Sequence, residues 1–182
     1  MMKQWLLKNG YSLDINKADG EDAADFLAFL QRAAGESETM LTAAGEFSLT
    51  LEQEQAFLRA AAANPKDLYL CGRVNGKLCA VASYTGGGRM RNAHTAELSV
   101  VVGREWWNLG IATAMMQELI MAAKNSGRFL MLHLGVREDN HAAIKVYKNL
   151  GFASVGSLPA YFCVDEKYYD EVLMSMKLTE QA

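Results

Sequence analysis

Cysteine is scarce in this chain, and its three copies suit neither a disulfide framework nor a metal site. Cys71, Cys79 and Cys163 are odd in number and lack ligand spacing, which predicts reduced thiols and a cytoplasmic setting. Long apolar runs are missing as well. The stretch from Met1 to Lys8 is too short in hydrophobic residues for a signal or a span, so no membrane attachment is expected. Basic residues do not dominate: 18 Lys and Arg against 21 Asp and Glu leave a formal net charge of -3, without the footprint of a nucleic-acid binder. The three histidines form no cluster with the cysteines, so no metal is expected. No internal repeat, low-complexity tract or linker divides the sequence.

What is present fits a single globular unit. Hydrophobic residues at 51% with 21% charged exclude disorder, and the length suits a single domain over residues 1–182 with a real core. Tyr11 to Ile15 alternates as a half-buried strand does. Asp19 is an N-cap for a helix over Glu21 to Ala34, with Phe26, Leu27 and Leu30 on its apolar face and Gly35 as its stop. A second helix runs from Thr50 to Ala63 and ends at Asn64-Pro65. Asn75-Gly76 lies between two β-rich runs, Leu68 to Val74 and Lys77 to Tyr84, and marks a two-residue hairpin turn. Gly86-Gly87-Gly88 precedes a strand and not a helix, so it reads as a loop and not as a dinucleotide fingerprint. Strands are expected over His94 to Val102, Phe129 to Val136, Phe152 to Val155, Tyr161 to Val164 and Glu171 to Met176. Helices separate the first three of these, the second from His141 to Leu150 with Gly151 closing it. This order is an α/β arrangement around one mixed sheet.

The organising stretch is Glu97 to Lys124. A β-branched run (Val100, Val101, Val102) enters a turn carrying Gly103, Asn108 and Gly110, then a long apolar helix. A strand, a glycine-bearing loop and a helix start together present inward N–H groups and partial positive charge to a phosphate. Gly110 leaves room for close backbone approach, and Thr113 adds a hydroxyl on the first helical turn. The same composition also suits a plain strand-to-helix connection with a glycine for tight packing. Further on, Asn140 stands at a helix start, and Ala143, Tyr147 and Leu150 share one helix face. Tyrosine on such a face is commonly a core residue.

Together the two blocks resemble the GNAT superfamily of acetyl-CoA-dependent N-acetyltransferases. The family's loop pattern, Q/R-x-x-G-x-G/A, is met by Trp107, Asn108, Leu109, Gly110, Ile111 and Ala112. Its later signature is met by Asn140-His141-Ala142-Ala143, Tyr147 and Leu150-Gly151-Phe152. Trp107 stands where the family usually carries Gln or Arg, and Leu109 where a basic residue is common. Phosphate contacts are expected from loop amides, which neither change removes.

The resemblance implies a mixed, mostly antiparallel central sheet flanked by helices, with a splayed parallel strand pair at the acetyl-CoA site. It implies pantetheine beside Val100, Val101 and Val102, with a strand N–H near Val100 polarising the acetyl carbonyl. Pyrophosphate is then expected on amides from Asn108 to Thr113, and a cofactor contact from Asn140. Tyr147 is implied as proton donor to the departing thiolate. Glu97 is the candidate general base for the attacking amine; the alternative is a salt-bridged or solvent-facing strand glutamate. His94 and His133 are secondary candidates, His133 reading as a core histidine. Acceptor-pocket segments are expected at Glu36 to Phe47, Gly86 to Asn92 and Pro159 to Tyr169. Glu36, Glu38 and Glu46 are cation-attracting there and Arg89 and Arg91 anion-binding, unless all are solvated loop charges. The implied activity is direct acetyl transfer from acetyl-CoA to a small primary amine (amino acid, polyamine or aminoglycoside-like), by a monomer or homodimer. Rivals are acetylation of a protein N-terminus or lysine, and a non-catalytic acyl-CoA-binding module.

Overall fold

The computed structural model describes residues 3–178, so Met1 and Met2 of the N-terminal stretch lie outside the described residues. In chain order the strands are β1 (Lys3–Leu6), β2 (Ser12–Lys17), β3 (Asp67–Val74), β4 (Lys77–Gly86), β5 (Thr95–Val102), β6 (Met131–Arg137), β7 (Ala153–Val164) and β8 (Lys167–Lys177). The helices are α1 (Ala23–Glu36), α2 (Leu51–Ala63), α3 (Ile111–Ser126) and α4 (His141–Asn149). The strands make one sheet in the order β1-β2-β3-β4-β5-β6-β8-β7. Every neighbouring pair is antiparallel except β5 and β6, whose crossover through α3 forces them parallel. This is the mixed, mostly antiparallel sheet with one parallel pair that the resemblance implies.

Local chemistry explains most of these boundaries. Asn75 and Gly76 both take positive φ, 50° and 79°, as the β3–β4 hairpin requires. Thr50 and Gln53 form a reciprocal capping box that starts α2. Gly110 and Gly127 bracket α3 in left-handed conformations, and Gly151 does the same after α4. Asp165 and Glu166 turn the chain from β7 into β8, both at positive φ.

Four expectations are corrected. Gly35 does not end α1, which runs on to Glu36 and stops where Ser37 becomes extended. Asp19 caps a short 3-10 turn at Gly20–Asp22, and α1 proper begins only at Ala23. The two runs Phe152 to Val155 and Tyr161 to Val164 belong to one long strand, β7, irregular around a positive φ at Ala160. Finally, β1 is an additional edge strand. It is held by pairing to β2 and by two bonds to Glu118 of α3: Trp5 Nε1 donates at 3.0 Å and Lys3 Nζ forms an ion pair at 2.7 Å.

Helices cover the two faces of the sheet unequally. One face packs with α3 and α4 into a core holding Leu98, Met115, Met116, Leu119, Leu132, Tyr147 and Met174. The other packs α1 and α2 over Cys71, Leu78 and Val81. Along β5, Ala96 and Leu98 are buried on the α3 side. The alternation of a strand therefore turns Glu97, Ser99 and Val101 toward the α1 side, where Val101 meets the second core and Glu97 and Ser99 stay exposed.

Candidate active site

The parallel pair is short. Thr95, Ala96 and Glu97 stand opposite Met131, Leu132 and His133, and the pairing ends there. From Ser99 onward β5 stays registered with β4 through Val102, while β6 stays registered with β8 through Arg137. Each strand keeps its outer partner and parts from its inner one, which opens a cleft between Ser99–Val102 and Leu134–Arg137. Alternate residues of a strand direct N–H and C=O to each side, so the inner-edge groups of β5 and β6 face the gap.

Just past the end of β5 lies the loop from Gly103 to Gly110. Trp107 is largely exposed, but its indole Nε1 donates to the Val102 carbonyl at 2.8 Å and folds the loop back on the strand. Arg104 lies over the Trp107 ring, its guanidinium carbon 6.0 Å from the centroid. Leu109 packs on the main core, so apolar anchorage replaces the charge that a basic residue would carry. Asn108 takes φ 64° and Gly110 φ 91°. A Cβ built on Gly110 meets nothing within 4 Å, which removes tight packing as the reason for the glycine. The left-handed backbone and the open space beyond it remain. No side chain caps α3, and the amides of Gly110, Ile111, Ala112 and Thr113 find no acceptor among the described residues. Four unpaired N–H groups at the start of a long helix are the donor set a pyrophosphate requires.

Across the cleft, Asn140 caps α4. Its Oδ1 accepts from the Ala143 amide at 3.2 Å, and its Nδ2 donates to Thr39 Oγ1 at 3.2 Å. Both ends of that side chain therefore have protein partners. Tyr147 is buried, stacked edge-on against Phe152 at 6.2 Å between centroids. Burial alone pushes its phenol up to about 12, so the hydroxyl keeps its proton at neutral pH. Ala143 is partly buried against the same core.

The acceptor side carries the carboxylates. Glu97 is exposed and takes part in no ion pair among the described residues, which removes the salt-bridged alternative and leaves a solvent-facing carboxylate. His133, read from its neighbours as a core histidine, is only half-buried: Leu132 and Leu134 point to the core and His133 points away. His94 is exposed. Glu36 has structural duties, pairing with Arg32 and accepting the Arg104 amide at 2.9 Å. Glu46 likewise caps its own turn through the Ala43 amide. Arg89 and Arg91 remain exposed.

Two side chains of this region went unremarked in the sequence. Arg137, at the end of β6, is buried and held on three sides. It forms a bidentate pair with Asp139 (2.7 and 3.0 Å), donates to the Glu38 carbonyl at 2.6 Å and stacks on Tyr169 at 4.3 Å. With Asn140 and Thr39 it ties the α1–α2 loop to the mouth of the cleft. Glu171 on β8 lies across the bare backbone of Gly135. Burial first, and the Glu97 charge second, raise its carboxyl above the usual range.

The sequence profile of the Acetyltransferase (GNAT) family matches residues 35–152. The chain belongs to this family. The acetyltransferase of GNAT family from Streptococcus pneumoniae superposes with a TM-score of 0.88 at 31% identity, over 92% of this chain and 99% of that one. A second structure, yncA from Salmonella typhimurium with its cofactor acetyl-CoA, gives 0.81 at 21% identity over 93% and 96%, a likeness of fold. The L-amino acid N-acetyltransferase AaaT of Escherichia coli (strain K12) is 37% identical over 87 residues, 48% of this chain and 54% of that protein. The chain spans about half the length of the curated relatives it matches. Within the GNAT fold, the parting of β5 from β6 and the uncapped start of α3 border the same open cleft.

Proposed function

We propose that this GNAT chain transfers the acetyl group of acetyl-CoA to a primary amine of a small molecule, with an amino acid the first acceptor to try. The observation that carries the reading is the cleft between β5 and β6 ending at four unpaired amides, Gly110 to Thr113. Bound there, acetyl-CoA supplies an activated acyl group. Residues Asn108 to Thr113 hold its pyrophosphate, and Val100, Val101 and Val102 line its pantetheine arm. The protonated Tyr147 gives the leaving thiolate its proton. Glu97 brings negative charge to the acceptor face of the same cleft, where it draws in an ammonium. The small-molecule acceptor is supported by the relative named an L-amino acid N-acetyltransferase. The exposed polar strip of Glu97 and Ser99 on the α1 side offers such an acceptor a place.

Thiol release from acetyl-CoA, measured over a panel of amino acids, polyamines, aminoglycosides and peptides, tests the reading. Turnover is expected with at least one small amine. Tyr147→Phe is expected to lower that turnover by about 100-fold with acetyl-CoA affinity nearly unchanged, and an unchanged rate removes Tyr147 as the proton donor. Binding of acetyl-CoA without turnover on any amine favours a non-catalytic module.

A further inference from the structure

Two carboxylates, and not one, face the cleft. Glu97 and His133 stand directly opposite in the last rung of the parallel pair, so their side chains share a face, and Gly135 is the next residue of β6 on that face. Gly135 is paired with Leu173 and Arg137 with Glu171, which puts Glu171 on the same face again. The Glu171 side chain does not extend away from the sheet. It lies over Gly135, where any Cβ would collide with its carboxylate oxygen, and Gly135 remains exposed. The carboxylate thus occupies the floor of the cleft at the point where β5 and β6 have just parted. Its backbone is fixed there: Asp170 donates to Glu138 Oε1 at 3.0 Å, and the Glu138 amide donates back to the Asp170 carbonyl at 3.0 Å. Among the described residues no cation pairs with Glu171, because Arg137, the nearest guanidinium in register, is taken up by Asp139, the Glu38 carbonyl and the Tyr169 ring.

We propose that Glu171 is the proton acceptor for the attacking amine, with Glu97 holding the ammonium beside it; this rests on the acetyl-transfer reading above. One ammonium proton passes to the Glu171 carboxylate and later to solvent, which frees the nitrogen lone pair. The C–N bond to the acetyl carbon then forms as the C–S bond breaks. A second nitrogen proton ends on the thiolate sulfur by way of the Tyr147 hydroxyl, leaving a neutral amide with one N–H. A base that must take a proton from an aliphatic ammonium works best when its own affinity for protons is raised. Glu171 is set up for that by its partial burial and by the Glu97 charge. The other titratable groups on its face are His133 and Arg137 of β6 and Tyr169 on its own strand; Asp139 is paired with Arg137, and Glu138 accepts from the Asp170 amide.

The test compares Glu171→Gln, Glu97→Gln and Gly135→Ala with the wild type, for acetyl-CoA binding and for kcat and kcat/KM against pH. Two acceptors are used: an aliphatic amine and an arylhydrazine, which is already largely unprotonated at neutral pH. Glu171→Gln is expected to lower kcat with the aliphatic amine by 100-fold or more. It should cost the arylhydrazine reaction less than 5-fold and leave acetyl-CoA binding intact. Gly135→Ala should mimic it by displacing the carboxylate. Glu97→Gln should raise KM for the amine and shift the acidic limb of the profile to lower pH. Equal losses with both acceptors, or an unchanged profile in Glu171→Gln, overturn the base role while wild-type turnover keeps the transfer reading. Absence of wild-type turnover with every amine removes both. Carbon-13 NMR of the glutamate carboxyls is a readout that needs no turnover. A Glu171 signal titrating in the ordinary range and indifferent to Glu97→Gln overturns the proposal.

Discussion

Gly110 concentrates in one residue what the loop does. Its φ of 91° costs an L-side chain roughly 1–2 kcal/mol, yet the space where a Cβ would stand is open. Gly110→Ala is therefore expected to lower stability by about 1 kcal/mol while weakening acetyl-CoA binding by much more, because the methyl group stands in front of the amides. Calorimetric titration beside urea unfolding separates the two effects; equal, small losses in both would mean that the ligand does not approach there. Titration of buried groups gives a second prediction at this scale. Tyr147 is pushed from 10.0 to about 12, and Cys71 and Cys79 each from 9.0 to about 12, all by burial. Below about pH 8 these groups are protonated in both folded and unfolded chains and contribute no pH dependence. As pH rises from about 8 toward 12 the unfolded chain loses protons that the folded chain keeps, so stability falls across that window. Tyr147→Phe should flatten the part of the fall between pH 10 and 12 in urea unfolding, and an identical slope would show that the phenol ionises freely in the fold.

Elements were legible in the sequence where one or two neighbouring residues decide them. Asn75-Gly76 dictates its hairpin, Thr50 starts α2, and Gly151 ends α4 because left-handed backbone favours glycine. Gly35 misled because glycine weakens a helix without ending it; only a left-handed or extended residue does that, and here the extended residue is Ser37. What stayed hidden depends on distant partners. The β1 strand is anchored by Glu118, more than a hundred positions away, and Arg137 carries no signal of its role until the fold brings Glu38 to it. Glu171 reads as a plain strand glutamate, since nothing nearby in sequence announces that Gly135 lies under it. The Arg137 clamp makes its own prediction at the scale of the element. Arg137→Ala leaves Asp139 and the Glu38 carbonyl without their donor, and the expected cost is about 3 kcal/mol. Hydrogen exchange should then quicken in residues 37–49, the loop it fastens, while α3 is untouched. Unchanged exchange in that loop would mean that Asn140 and Thr39 suffice.

Taken whole, the molecule is two blocks of sheet that meet at three residue pairs. Five strands lie on one side and three on the other, and among the described residues the backbone joins them through Thr95–Glu97 paired with Met131–His133 and through the Leu130 and Met131 amides, which donate to the His94 carbonyl; the α3 core supplies the remainder of the joint. The cleft is therefore a seam as well as the proposed acetyl-CoA site, and a ligand laid along it would act as a stitch. Held by β5 and β6 as proposed, its pantetheine arm would bridge blocks that the chain alone joins weakly. Since binding only the folded state stabilises it by mass action, acetyl-CoA should raise the melting temperature, and it should do so by uniting the blocks. The free protein is expected to open first along β6, β7 and β8, seen as faster amide exchange there than in β3 and β4. With saturating acetyl-CoA the two halves should exchange at one common rate. Equal rates without ligand would place the strength of the joint in α3 and leave the cleft a passive groove.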